Sequence, residues 1–219
     1  MTTATAAALL ALALWGAGCV ARPAPPSDPL SAEEHNDLGV AYFTRGEPAR
    51  AAAEFRRALA LRPTFPRALA NLADALLALG DTDAAIEAYA RARTASPEDS
   101  AIANNLAWAL LQHERRWPEA EPVIRDALAR NPEPRGYYLD TLGVLLLRKR
   151  EPADALLAFR EALADSRLTD PAVRALVFRH AAEALGELGD REAAARCVRL
   201  AQEAAAAPPG KVGGRDTVC

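Results

Sequence analysis

Chemistry in this chain would first be sought at His113 and Glu114. A helix bearing His-Glu-x-x-His presents two imidazoles to a zinc ion from one face, with the glutamate as general base. Here Trp117 holds the second ligand position, which excludes that site. No Gly-x-Ser-x-Gly elbow, phosphate-cradling Gly-x4-Gly-Lys-Ser/Thr loop or Cys-x-x-Cys pair occurs, and GKVGG near the end lacks the strand and helix that such a loop requires. The 3 histidines, His35, His113 and His180, are far apart in the sequence, leaving little material for a catalytic or metal site. The expectation is no enzyme activity, no cofactor and no metal, with His35 and His180 as structural or surface residues. A net charge of -3 gives no electrostatic reason to expect nucleic acid.

The cysteines are the other reactive side chains, and there are 3. Cys19 closes the uncharged run TATAAALLALALWGAG and precedes the proline-rich ARPAPPSDP. The run is shorter than the roughly 20 apolar residues that a membrane span needs, and it reads as a signal-peptide core. With Gly16, Ala17 and Gly18 before it, Cys19 resembles the lipobox cysteine of bacterial lipoproteins, although Gly16 stands where that motif has Leu and the n-region MTTATAAA carries no Lys or Arg. The resemblance implies a signal peptide at 1–18, a lipidated Cys19 opening a stiff linker at 19–30, and membrane association through the N-terminal lipid. Val20 after the cysteine then implies an outer-membrane anchor facing the periplasm. Ordinary secretion and an uncleaved anchor are the alternatives. Cys197 is expected to be a small buried apolar residue and Cys219 part of a disordered end, although pairing of the two stays open.

Alanine and leucine dominate the rest of the chain and aromatics make up only 5%, which favours helix over sheet. The apolar pattern also repeats. Leu38-Gly39, Tyr42, Gly46, Ala51, Phe55, Ala58 and Pro63 recur 34 residues later as Leu72-Ala73, Leu76, Gly80, Ala85, Tyr89, Ala92 and Pro97. A third set runs from Leu106-Ala107 to Pro132 with one extra residue in its turn, where Pro118 is expected as the N-cap that makes Pro122 tolerable. A fourth holds Leu142-Gly143, Ala155 and Phe159. A fifth, from Ala181-Ala182 to Ala201, keeps the small positions. Ser31-x-x-Glu34 forms a capping box before the first helix.

This pattern resembles the tetratricopeptide repeat, in which small residues admit a neighbouring antiparallel helix and large ones fill beside it. The resemblance implies an all-α, right-handed superhelical solenoid at 31–203, of about five helix-turn-helix units near 32–65, 66–99, 100–135, 136–170 and 175–203, followed by a disordered tail at 204–219. The polar residues Asp190, Arg191, Glu192, Arg196 and Arg199 are expected to cap the last unit.

By that family's register, the first helix of each unit lines a concave groove. This places Asn36, Asp37, Arg67, Asn71, Asp74, Asn104, Asn105, Trp108, Tyr137, Asp140, Thr141, Val144 and Arg148 on its wall. Asn71 and Asn105 share a repeat position, and their amides suit an extended peptide backbone, with Trp108 and Tyr137 as rigid apolar contacts. The opposing reading has solvated asparagines and a Trp108 packed between helices. The turns at 114–116 and 148–150 read as solvated ends. The family's two-lysine carboxylate clamp is not matched. A lipobox followed by such repeats also resembles the pilotin and assembly lipoproteins of Gram-negative envelopes. The implied function is a membrane-tethered adaptor that binds a protein or peptide partner. The alternatives are recruitment of a cell-wall hydrolase or protease, self-assembly, and a cytoplasmic scaffold.

Overall fold

The computed structural model of the chain describes residues 29–130 and 132–206. The signal-peptide run, Cys19, Cys219 and most of the expected tail lie outside the described residues. Ten α-helices and no strand occur among the described residues. They are α1 (Ala32–Thr44), α2 (Pro48–Leu61), α3 (Pro66–Ala78), α4 (Thr82–Ala95), α5 (Ser100–Gln112), α6 (Ala120–Ala129), α7 (Gly136–Arg148), α8 (Pro152–Ala164), α9 (Pro171–Glu187) and α10 (Arg191–Ala206). The last pair thus begins before residue 175 and runs past residue 203.

Helix starts follow local chemistry. Pro48, Pro66, Pro152 and Pro171 take first-turn positions, where no backbone N–H is needed. Asp81, Asp99 and Asp170 accept from the first free amides of α4, α5 and α9, and Ser31 with Glu34 closes the capping box of α1. In the third unit a 3-10 turn at Trp117–Glu119 comes first and Glu119 is the N-cap of α6, which corrects the assignment of that role to Pro118. Pro122 is therefore the third residue of α6, still within the turn whose amides have no helical acceptor.

Each helix packs antiparallel on its successor, and α1 on α3, α5 on α7 and α7 on α9 also touch, which generates the stack of a solenoid. Alanine lets the helices approach closely: Ala51, Ala58, Ala85, Ala92, Ala107, Ala155 and Ala162 are fully buried. Gly39 and Gly143 serve the same end, since a Cβ on them would sit 2.5 Å and 2.2 Å from the rings of Phe55 and Phe159. The core falls into two clusters that meet at α7, one holding Leu145 and the other Leu139, Leu146 and Leu147.

Three of the helix turns end on a left-handed glycine, Gly46 (φ 76), Gly80 (φ 82) or Gly189 (φ 84), while Arg150 (φ 65) fills the corresponding place after α7. Cys197 is buried as expected, but it is disulfide-bonded rather than free, a correction to its reading as a plain apolar residue. Asp190, Arg191, Glu192, Arg196 and Arg199 are exposed at the end of the stack. No described helix is long and apolar enough to cross a membrane.

Candidate functional site

The wall of the groove is best followed through the fifth and sixth residues of successive units, because the helix turn places the fifth of one unit beside the sixth of the next. Between α1 and α3, Asn71 Nδ2 donates to Asn36 Oδ1 at 2.8 Å, and Asn36 Nδ2 donates to Asp37 Oδ1 at 3.2 Å. Asn36 has no exposed surface as a result, so it holds two units together and is closed to a ligand. Between α7 and α9, His180 Nδ1 lies 2.8 Å from the buried Asp140 Oδ1. The His180 ring also packs tilted against Phe159, with centroids 5.7 Å apart, and against Trp108 at 6.4 Å. His180 is thus a groove-wall residue that links three units. Its distance in sequence from Asp140 hid that role, although its position in the repeat could have revealed it.

The middle of the wall differs. Ala70 stands where Asn36 does one unit earlier, so Asn105 has no side chain to meet there and lies instead beside the Tyr89 hydroxyl. That hydroxyl donates to Asp74 Oδ1. Burial pushes the Asp74 carboxyl above the usual carboxylate range, with the Tyr89 bond opposing the shift. Burial, followed by the adjacent Asp74 charge, pushes Tyr89 upward as well. At the next step Thr141 is buried and its Oγ1 turns back to the Tyr137 carbonyl at 3.3 Å, leaving Asn104 Oδ1 buried with no hydrogen-bond partner.

Trp108, Tyr137 and Val144 are half-buried, each with one side against the core and the other free. Trp108 therefore combines both roles open to it, packing and exposure. Arg67 and Asp37 are exposed. Arg148, at the far end of α7, donates to the Leu111 carbonyl and lies 5.5 Å from the Trp117 ring centre while remaining exposed, as expected of a solvated helix end. Beside it Leu111, Val144, Leu147, His180, Glu183 and Glu187 line a cleft of about 360 Å³. No group of three or more metal-ligating side chains occurs among the described residues.

A helical wall of amides, one part-buried carboxylate and half-exposed aromatic rings offers hydrogen bonds and apolar contact. The family model described as tetratricopeptide repeat matches residues 36–100, 70–133 and 104–171. Protein FlbA of Caulobacter vibrioides is 33% identical over 174 residues, which is 79% of this chain and 27% of FlbA. The type IV pilus assembly protein PilF of Pseudomonas aeruginosa is 27% identical over 170 residues, 74% of this chain and 66% of PilF. The chain thus spans less than two thirds of either relative. The solved structure of PilF superposes with a TM-score of 0.67 at 24% identity, covering 81% of this chain and 78% of the other. PilW, a type IV pilus biogenesis factor, does so with 0.69 at 22%, covering 78% of each chain. At these identities the structural likeness speaks for the fold.

Proposed function

Because the chain belongs to the tetratricopeptide repeat family, we propose that it is a protein-interaction adaptor, tethered to a membrane through lipidated Cys19, that holds an extended segment of a partner in its concave groove during assembly of an envelope complex. The observation that carries this reading is the concentration of half-buried polar and aromatic groups on one face: Asn71, Asp74, Asn104, Asn105, Trp108 and Tyr137. Such a wall gives several modest contacts at once, and a lipid anchor raises the local concentration of the groove at a membrane. The envelope setting is supported by the lipobox-like sequence around Cys19, by the disulfide at Cys197, which suits an oxidising compartment, and by the likeness to a pilus assembly protein.

A photo-crosslinking residue placed at Trp108 in the full chain, expressed in its native host, tests the groove. Discrete adducts in the membrane fraction are expected, and none from the same residue placed at Leu157, which is 62% exposed on α8. Identical adducts from both positions, or none, would sink the reading. Intact mass of the purified protein beside a Cys19→Ala variant tests the tether: the wild type is expected to lack residues 1–18 and to carry acyl mass.

A further inference from the structure

The cleft of about 360 Å³ between α5, α7 and α9 brings an imidazole and an apolar floor into one hollow. Leu111, Val144 and Leu147 supply the floor; the two leucines are nearly buried and Val144 keeps one side free. His180 stands in the wall. Its Nδ1 is held 2.8 Å from the buried Asp140 carboxylate, which takes up that edge of the ring. The opposite edge carries Nε2, which makes no hydrogen bond among the described residues and is not sealed from solvent. Tilted packing on Phe159 and Trp108 keeps the ring from swinging away. The result is a polar contact fixed in place that no described residue uses.

The charges around the cleft narrow what would use it. Arg150 and Glu187 pair at 3.0 Å, and Arg148 donates to the Leu111 carbonyl, so each of these has a partner within the chain. Glu183, three residues after His180 and so on the same face of α9, has no hydrogen bond or ion pair among the described residues. The uncommitted groups are therefore one imidazole nitrogen and one carboxylate above aliphatic side chains. They suit an apolar body with a polar tip that carries a proton, as in tyrosine and tryptophan. A hydroxyl fits better than an indole. Nε2 accepts when the imidazole is neutral and donates when it is charged, and a phenol O–H answers both states, whereas an indole N–H only donates. A lysine tip would place its charge beside Arg148 and Arg150 on the same rim. The hollow is at the small end of ligand pockets, which run from about 300 to 1,000 Å³, and so suits one large side chain.

We propose that this cleft is a subsite for one tyrosine side chain of the partner segment, its ring on Leu111, Val144 and Leu147 and its hydroxyl on His180 Nε2. When the imidazole is charged, the hydroxyl accepts from Nε2 and turns its own proton to Glu183. The proposal rests on the groove reading above and adds the chemistry of one anchor.

The test uses the full purified chain and two immobilised octapeptide pools. Their flanking positions are randomised among uncharged non-aromatic residues and the central residue is either tyrosine or phenylalanine. Capture by the tyrosine pool should exceed that by the phenylalanine pool by about tenfold, the size of one hydrogen bond to an oriented partner. His180→Phe keeps a ring between Phe159 and Trp108 but has no nitrogen, and should bring the tyrosine pool down to the phenylalanine level. That change also strands Asp140, so a wild-type readout accompanies it. The nitrogen resonance of His180 Nε2 should move several times further with the soluble tyrosine pool than with the phenylalanine pool. Equal capture of the two pools, a tyrosine preference that survives in folded His180→Phe, or a resonance that both pools move alike would overturn the subsite. If neither pool is preferred while the Trp108 crosslinker still gives discrete adducts in the native host, the subsite falls and the adaptor reading stands; if the adducts are missing too, both fall.

Discussion

The step from α1 to α3 and the step from α5 to α7 place polar side chains at the same two repeat positions, yet they leave them in opposite conditions. In the first, Asn36 is sealed from solvent and answers Asn71; in the second, Asn104 keeps a buried oxygen that nothing answers. Packing is not the cause, since α1 packs on α3 and α5 on α7, and both pairs sit over alanine-rich cores. The difference is the residue opposite: Thr141 is too short to span the step and turns to its own helix. A fold selected for stability alone would place an apolar residue at 104, as it places Ala70 one unit earlier. Polar groups of the first kind hold units in register, whereas the second kind leaves a buried acceptor unanswered.

The comparison breaks most visibly if the two asparagines respond alike to the same change. Asn36→Leu is expected to lower stability by about 2 kcal/mol, because it strands the Asn71 amide and forces a branched side chain into a closed site. Asn104→Leu is expected to raise it by about 1 kcal/mol. Urea unfolding midpoints of the full chain measure both, and a loss of similar size at the two positions would end the distinction drawn here.

Why this contrast was hidden in the sequence is itself physical. The recurrence of Leu-Gly or Leu-Ala pairs, alanines and prolines announced the helices, because the small positions and the turn residues are set by neighbours within one unit. The partners of the polar residues are set by the adjacent unit. Asn71 and Asn105 are equivalent by register, but one faces Asn36 and the other faces Ala70, and a one-unit pattern does not contain that difference. The partner of His180, a residue expected to be structural or at the surface, was hidden for the same reason, whereas His35 Nδ1 meets Glu54 Oε2 at 2.8 Å within its own unit, joining α1 to α2. The N-cap of α6 was misplaced because a 3-10 turn absorbs the extra residue of the third unit before the α-helix begins.

A smaller effect distinguishes Asp74 from the carboxylates that are paired with cations. Glu121 is held below its ordinary range, mainly by its hydrogen bond to Arg125, so its contribution to stability is present above the ordinary glutamate range and fades as the pH falls. Asp74 runs the other way, because burial raises its pKa. Its contribution is fully present below the ordinary aspartate value of about 3.9 and is lost as the pH rises through the elevated value. Asp74→Asn should therefore gain stability relative to wild type as the pH is raised from about 4 to 7, measured by unfolding midpoints across that window. A difference that does not change with pH would mean that the carboxylate is not strained by burial.

The smallest expected effect provides the control that the comparison needs, because a stabilised chain could bind poorly simply by being stiffer. Arg150 occupies the left-handed turn position that Gly46, Gly80 and Gly189 take elsewhere, a backbone region that costs a residue with a Cβ roughly 1 kcal/mol. Arg150→Gly removes that strain, gives up a solvent-exposed pair with Glu187 at 3.0 Å, and adds some freedom to the unfolded chain. The net gain is about 0.5 kcal/mol, with no contact to Asn104 or Asp74 altered. If this variant is more stable and a photo-crosslinker at its Trp108 still gives the adducts, loss of those adducts in Asn104→Leu belongs to the change on the groove wall. If Arg150→Gly loses the adducts too, rigidity of the stack explains both losses.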